Sequence, residues 1–191
     1  MITLIVPTIP PRKHLYERLM RSVKAQTMLP DWIHIEMDTE REGSAATRNR
    51  GLRRVTTEWV TFADDDDEMM PHHIQTLWEA QQESGADVVY SGYRVVGGTD
   101  PRPDRKGLPF DADELRRGSY ITIHSLVRTS LAQAARFEFD PVSGMDDHGF
   151  YLRLLDLGAT FHHVPVETYL WYHWMNAETG QRGNTSGRPV W

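Results

Sequence analysis

The most informative feature of the sequence is a run of four aspartates, Asp64 to Asp67. Adjacent carboxylates repel one another, so such a run suits either full solvation or the binding of a cation. The run directly follows an apolar segment that we predict to be a strand, and open α/β sheets bind their ligands at the carboxyl ends of the strands. Hard oxygen ligands in a chain without cysteine favour Mg²⁺ or Mn²⁺.

A second acidic pair, Asp146 and Asp147, lies at the start of a predicted helix. Helical spacing places Asp147 on the same face as Phe150, Tyr151 and Leu154, and so directs it inward. The first turn of a helix also favours the ionised carboxylate that a general base requires. Aspartate is also common at helix starts as an N-cap. One of the two residues therefore fits the role of N-cap and the other that of general base.

Composition excludes several classes of protein. The 191 residues have a net charge of −6, which argues against nucleic acid as a partner. The absence of cysteine rules out a disulfide framework, a thiolate zinc site and a cysteine nucleophile. No apolar stretch approaches the roughly 18 to 20 residues that span a bilayer, so we expect a cytoplasmic protein and leave peripheral contact with a membrane open.

Strand and helix patterns alternate through the first half of the chain. The predicted strands are 2–6, 32–37, 58–63 and 87–96, and the predicted helices are 12–26, 44–55 with Ser44 as N-cap, and one opened by Pro71. This order predicts an α/β fold with a mostly parallel sheet. After a predicted loop at 97–109, we expect a strand at 120–128, helices at 129–135 and 146–157, and two short strands around Pro165 within 160–174.

Five segments follow one another along the chain: residues 7–8 (PT), 47–51 (TRNRG), 62–67 (FADDDD) with Pro71, 146–154, and 183–187 (GNTSG). Their order resembles that in the GT-A glycosyltransferases of the inverting family 2, which use nucleotide-diphosphate sugars. Residues 47–51 (TRNRG) are similar to the family's "ARNxG" element, and residues 62–67 (FADDDD) with Pro71 resemble its "FLDxDD…P" segment, which contains the DXD motif. Residues 146–154 resemble its "ED…LRL" element. Pro7-Thr8 is similar to its first loop, and residues 183–187 (GNTSG) are similar to the C-terminal ends of bacterial members.

The resemblance implies a single GT-A domain over residues 1–191, with a Rossmann-like, mostly parallel sheet and a small acceptor-side extension. Residues 1–96 would bind the nucleotide sugar and residues 97–191 the acceptor. The implied enzyme is a metal-dependent inverting glycosyltransferase that uses Mn²⁺ or Mg²⁺. By single displacement it would move a hexosyl or related group from a donor, with UDP-sugars favoured, to a hydroxyl of a glycan, lipid, small molecule or protein. A homo-oligomer is left open.

The resemblance also implies roles for the four aspartates. Asp66 falls at the position of the metal ligand that bridges the diphosphate, and Asp65 at the position that contacts the ribose or the nucleotide. Asp64 begins the motif and would assist. Asp67 has the weakest match, so we expect it to be a solvated turn residue.

Further roles follow from matching positions outside the acidic run. Thr8, Asp38 and Arg48 would bind the nucleotide sugar, and His173 would complete the metal or diphosphate site. Asp147 is the favoured base, because it precedes Arg153 by six residues as the family's base precedes its arginine. The chain departs from the family in two places: residues 37–40 read MDTE instead of "DDGS", and Asp146 replaces the usual glutamate, which keeps Asp146 as the second candidate base.

Two other functions fit parts of the pattern. A nucleotidyltransferase also combines an α/β sheet with acidic metal ligands, but it needs a Gly-rich, basic loop after the first strand. Residues 7–11 read PTIPP at that place, which argues against it. A non-catalytic sugar- or cation-binding module would keep the acidic run but has no use for a positioned base at Asp146 or Asp147.

Overall fold

The computed structural model describes residues 1–98, 104, 107–139 and 146–172. The strands are β1 (Ile2–Thr8), β2 (Trp32–Met37), β3 (Trp59–Phe62), β4 (Glu68–Met69), β5 (Val88–Val96), β6 (Leu126–Arg128) and β7 (Phe161–Tyr172). The helices are α1 (Lys13–Lys24), α2 (Ser44–Leu52), α3 (His73–Ser84), α4 (Ala112–Arg117), α5 (Thr129–Ala135) and α6 (Asp147–Asp156), and a 3₁₀ turn at Pro10–Arg12 precedes α1.

The strands form one seven-stranded sheet in the order β2-β1-β3-β6-β5-β7-β4. Five of them run in the same direction, while β6 is antiparallel to both of its neighbours and β4 is antiparallel to β7. The predicted α/β class is confirmed, and the two reversed strands make the sheet mixed. Strands from both predicted halves of the chain, 1–96 and 97–191, belong to this sheet.

Helices bury both faces of the sheet. On one face, α2, α5 and α6 pack against a core that includes Phe62, Phe150 and Tyr151. On the other face, α1 and α3 pack against a core that includes Leu19 and Trp59. Because β1 is covered on both sides, all seven of its residues are buried, as its continuous apolar sequence predicts. Within the described ranges, no helix is long and apolar enough to cross a membrane.

Two predictions about the second half need correction. The strand predicted at 120–128 is limited to its last three residues. The two short strands predicted around Pro165 are one strand, β7. Its register against β5 shifts between Ser91 and Tyr93, opposite Pro165, and such a bulge accommodates a residue that has no N–H for the ladder.

The prediction that Ser44 caps α2 is also wrong. Gly43 occupies the N-cap position, with φ of 90°, a conformation that glycine adopts without strain. Ser44 is instead the first helical residue, and its hydroxyl donates to Asp146, far along the chain. A local capping pattern cannot reveal such a partner.

The carboxyl ends of β1, β2 and β3 meet at one edge of the sheet. Thr8 pairs with Met37 across the parallel β1–β2 ladder, and the N–H of Asp38 donates to the carbonyl of Thr8. On the other side of β1, the N–H of Ala63 donates to the carbonyl of Ile5, so the acidic run leaves β3 beside the end of β1. This edge brings the chemically active residues of the first half together.

Helix α2 lies close to this edge because Gly51 allows it to approach β1 and β2. A Cβ at Gly51 would stand 2.9 Å from both Ile5 Cγ2 and Glu36 Cγ, which is closer than van der Waals contact permits. Glu36 is itself buried and ion-paired to Arg50 and Arg54, so it has little room to move. The glycine of the TRNRG segment therefore sets the distance between α2 and the sheet.

We expect Gly51→Ala to destabilise the protein by about 1–3 kcal/mol, because overpacking a filled core outweighs the better helix propensity of alanine. The measurement is urea unfolding. Gly149→Ala in α6 is the matched control, since its Cβ would meet only the end of the Arg153 side chain, at 3.3 Å. Equal stability of the two variants would contradict this explanation of Gly51.

Candidate active site

Asp64 is the first residue of the acidic run and is partly exposed. Its carboxylate forms an ion pair with Arg48, which lies on α2. The strand end and the helix are therefore joined at the first position of the run.

Asp65 turns inward and is held by two partners. The hydroxyl of Thr8 donates to its Oδ2 at 2.7 Å, and Nη1 of Arg12 donates to its Oδ1 at 2.9 Å. Burial raises the pKa of Asp65, although Arg12 and the Thr8 hydroxyl act in the opposite direction. Thr8 and Asp65, predicted separately to bind the nucleotide sugar, thus belong to one cluster.

Asp66 is also buried, with 2% of its surface exposed. Its Oδ2 lies 3.5 Å from Nη1 of Arg12, and its backbone carbonyl accepts a hydrogen bond from Arg18. Burial, followed by the charge of Asp64, raises the pKa of Asp66 to about 7 despite the opposing effect of Arg12. Additional positive charge stabilises the ionised form of such a buried carboxylate. Asp66 is therefore suited to the role of metal ligand that its position in the motif predicts.

Asp67 is not the solvated turn residue that we predicted. It is 3% exposed, and its Oδ1 accepts the backbone N–H of Tyr172 at 2.9 Å. Burial raises the pKa of Asp67 well above its ordinary value, and Asp66 adds to the effect. The run turns inward here because Asp67 leads into β4, which pairs with the end of β7. Asp67 therefore attaches the acidic run to β7.

Arg48 connects three parts of the chain through one buried guanidinium. Nη1 donates to Oδ2 of Asp146 at 2.6 Å, while Nη2 pairs with Asp64. The side chains of Arg48 and Asp146 are each 6% exposed, and the hydroxyl of Ser44 donates to the same Oδ2 at 2.7 Å. Burial alone would lower the pKa of Arg48, but Asp146 and Asp64 raise it above its ordinary value, so the group remains charged.

The two candidate bases have different surroundings. Asp146 is buried and its carboxylate is occupied by Arg48 and Ser44. Asp147, the first residue of α6, is partly exposed, and its Oδ1 accepts the N–H of His148 at 2.8 Å. Phe150, Tyr151 and Leu154 are the buried residues of α6, as its sequence predicts. This difference favours Asp147 as the residue that can reach a substrate.

Two predicted site residues remain, Asp38 at the edge of the sheet and His173 near the C-terminus. Asp38 follows β2, is buried, and accepts hydrogen bonds from the N–H groups of Glu42 at 2.9 Å and Gly43 at 2.8 Å. It therefore closes the loop that leads into α2, and its contact with a nucleotide stays a prediction. His173 lies outside the described residues, so its role also stays a prediction.

The oxygen ligands of the acidic run fit a divalent cation that shares its coordination with a substrate. Among the described residues, no three side chains of the metal-binding types form a group that could hold a metal ion. Mg²⁺ typically binds through one or two carboxylates and completes its shell with substrate phosphates and water. Asp66, buried and with a raised pKa, and the neighbouring Asp65 are suited to such shared coordination.

Sequence reasoning missed two further arginines that contact the run. Arg12 ends the 3₁₀ turn after β1 and Arg18 lies on α1, and both contact residues about 50 positions later in the chain. The guanidinium of Arg18 also stacks 3.7 Å above the ring of Tyr172. Both are basic residues that follow a strand whose end lies beside the acidic run. This pattern is the sequence signal that predicts their contact with the run.

A buried aromatic cluster near the run was also missed. The rings of His124 and Tyr169 stack with centroids 3.9 Å apart, and His73 lies 5.4 Å from both. Burial lowers the pKa of His73 to about 3, and that of His124 also falls, so both rings are neutral. These histidines fill the interior. Their spacing in the sequence gives no sign of this, because the three residues come from separate elements.

Comparison with known proteins places this arrangement in a family. Residues 17–140 match the model of the family described as glycosyl transferase family 2, and they include the acidic run, Asp38 and Arg48. The chain belongs to glycosyl transferase family 2. An uncharacterised glycosyltransferase of Bacillus subtilis, YwdF, is 27% identical over 71% of this chain and 61% of its own length.

Solved structures show the same fold at low sequence identity. The Staphylococcus aureus protein TarS, solved in complex with UDP-GlcNAc, has a TM-score of 0.76 and 16% identity over 92% of this chain and 59% of its own. The mannosyltransferase PcManGT of Pyrobaculum calidifontis, in complex with GDP-Man and Mn²⁺, has a TM-score of 0.67 and 17% identity over 92% of this chain and 58% of its own. The chain therefore spans about three fifths of these relatives.

These comparisons confirm the resemblance, the GT-A fold and the glycosyltransferase class that the motifs predicted. They favour that class over the nucleotidyltransferase and the non-catalytic module. The roles of individual residues are not decided by them, so the site assignments depend on the geometry above.

We expect Arg48→Met to destabilise the protein by about 3–5 kcal/mol, because it leaves Asp146 and Asp64 without their shared cation. Adding Asp146→Asn removes one of these stranded charges, so the double variant should be more stable than Arg48→Met alone. Urea unfolding measures both effects.

Arg53→Met is the control, since Arg53 lies on the same side of the sheet but is exposed, and its change should stay within about 0.5 kcal/mol. An Arg48→Met variant as stable as this control would contradict the bridging role of Arg48.

Proposed function

We propose that the protein is a metal-dependent inverting glycosyltransferase, which moves a sugar from a nucleotide-diphosphate donor to an acceptor hydroxyl by single displacement. One observation supports this most directly: Arg48 holds the acidic run that follows β3 beside the start of α6. A donor site at the run and a carboxylate at Asp147 would then face the same reacting centre.

The donor-side residues have separate tasks in this proposal. Asp66 would hold the divalent ion, Mn²⁺ or Mg²⁺, together with the donor's diphosphate. Asp65, predicted to contact the ribose or the nucleotide, would in addition share the ion, because its carboxylate lies beside that of Asp66. When bound, this ion neutralises charge that develops on the departing nucleoside diphosphate. Thr8 orients Asp65, and Asp38 lies beside Thr8 at the end of β2, where it would contact the nucleotide. His173 would complete this site from the C-terminal tail.

Asp147 would act as the general base on the acceptor. Its position at the start of α6 favours the ionised carboxylate, because the helix dipole stabilises negative charge there. Asp146, whose carboxylate is neutralised by Arg48, would keep the start of α6 against the acidic run. Removal of the acceptor proton as the bond to the anomeric carbon forms is the step that an inverting enzyme needs from such a base.

The nature of the donor is part of the proposal. TarS was solved with UDP-GlcNAc and PcManGT with GDP-Man and Mn²⁺, so nucleotide sugars occupy related folds. We favour a UDP-sugar donor, with a glycan, lipid, small molecule or protein as acceptor. Residues 37–40 depart from the family's "DDGS" at the place where the resemblance implies contact with the nucleotide base, so base preference would be decided there.

We expect Asp147→Asn to lower kcat by about 10²–10⁴-fold, the usual contribution of a general base, while nucleotide affinity stays within about twofold of wild type. The assay is release of UDP from a panel of UDP-sugars with Mn²⁺ and candidate acceptors. Binding is measured separately by calorimetry.

The control is Asp156→Asn at the other end of α6, where the carboxylate is exposed and contacts Arg116 at 3.1 Å. It should leave kcat unchanged. Full activity of Asp147→Asn, together with loss of activity in a folded Asp146→Asn variant, would transfer the role of base to Asp146.

A further inference from the structure

Arg12 contacts the carboxylates of both Asp65 and Asp66. Its Nη1 lies 2.9 Å from Oδ1 of Asp65 and 3.5 Å from Oδ2 of Asp66. The side chain of Arg12 is 23% exposed, whereas those of Asp65 and Asp66 are 4% and 3% exposed. A single guanidinium therefore links the two buried carboxylates to the more accessible side of the site.

These carboxylates need a positive charge because they are buried next to further negative charge. Asp65 and Asp66 lie between the carboxylates of Asp64 and Asp67 in the chain, and Arg12 contacts both of them. A divalent cation at the same oxygens would meet the same need. A cation bound there would also lie a few ångströms from the Arg12 guanidinium. Two positive charges at that distance repel each other strongly in a partly buried site.

A guanidinium displaced from these carboxylates has a suitable partner in the proposed donor. Arginine binds phosphate groups through two parallel hydrogen bonds, and a diphosphate that shares the divalent ion would lie beside the run. Arg12 ends the 3₁₀ turn that follows β1, so its side chain begins at the same sheet edge as Thr8.

We propose that Arg12 is an internal counter-ion that competes with the divalent cation for Asp65 and Asp66 and moves to the donor's diphosphate when the cation binds. This inference depends on the proposed function and goes beyond it, because it makes cation and diphosphate binding cooperative. By linkage, each ligand then raises the affinity of the other by the same factor. The competing explanation is a purely structural ion pair, whose loss would weaken binding of both ligands or leave it unchanged.

The test uses Arg12→Gln, with Arg21→Gln as control because Arg21 is an exposed cation on α1. Free Mn²⁺ is measured by electron paramagnetic resonance, first without nucleotide and then with the tightest binder among UDP, GDP, CDP and dTDP. Wild type and the control should bind Mn²⁺ at least about fivefold more tightly when nucleotide is present. Arg12→Gln should bind Mn²⁺ alone about tenfold more tightly than wild type. Its coupling to nucleotide should fall at least about threefold, and the coupling that remains comes from the coordination that the ion and the diphosphate share.

A second variant covers the case in which Arg12→Gln does not fold. Arg12→Lys keeps the positive charge, so its Mn²⁺ affinity without nucleotide should match wild type. It loses the planar fork, so its coupling to nucleotide should fall at least about threefold.

Two results would overturn the inference, and they are distinguishable. If wild type binds both ligands, Mn²⁺ affinity that is unchanged or weaker in Arg12→Gln, or coupling that is unchanged in both Arg12 variants, would make Arg12 a structural ion pair and leave the proposed function intact. A wild-type protein that binds neither Mn²⁺ nor any of the four nucleotides would overturn the proposed function and this inference with it.

Discussion

The buried guanidinium of Arg48 is the interaction on which the site depends. It pairs with Asp64 at the end of β3 and with Asp146 at the start of α6, and so joins segments that are about 80 residues apart in the chain. Gly51, three residues later on α2, allows the helix to approach the sheet closely enough for this contact. Because a buried ion pair that loses one partner leaves an uncompensated charge, Arg48 and its two carboxylates act as a unit.

The acidic run illustrates how a folded protein can bury adjacent like charges. Each aspartate has a compensating partner, and Asp65 and Asp66 share one. The partners are Arg48 for Asp64, Thr8 and Arg12 for Asp65, Arg12 for Asp66, and the N–H of Tyr172 for Asp67. The compensation is incomplete, since the pKa values of the three inner carboxyl groups are raised. This remaining demand for positive charge is the physical basis for expecting a divalent cation here.

The sequence predicts the first half of the fold well because its signals are local. Continuous apolar runs become β1 and β3, and the acidic run lies at the sheet edge where the α/β pattern predicts it. The errors involve contacts between distant segments. β7 continues as one strand across Pro165, Asp67 is buried where it binds the N–H of Tyr172, and the hydroxyl of Ser44 donates to Asp146 instead of capping α2. Motif resemblance identified Arg48 and both candidate bases, but only the geometry separates buried Asp146 from accessible Asp147.

The central claim is that the acidic run binds a divalent cation and a nucleoside diphosphate together. The most direct test is the thermal stability of wild type and Asp66→Asn with UDP, GDP, CDP and dTDP, each with and without Mn²⁺. A ligand at 100 times its dissociation constant adds about 2.7 kcal/mol to stability. We expect one nucleotide to stabilise wild type only when Mn²⁺ is present, and Asp66→Asn to lose this effect. Equal stabilisation of both proteins, or of neither, would contradict the claim.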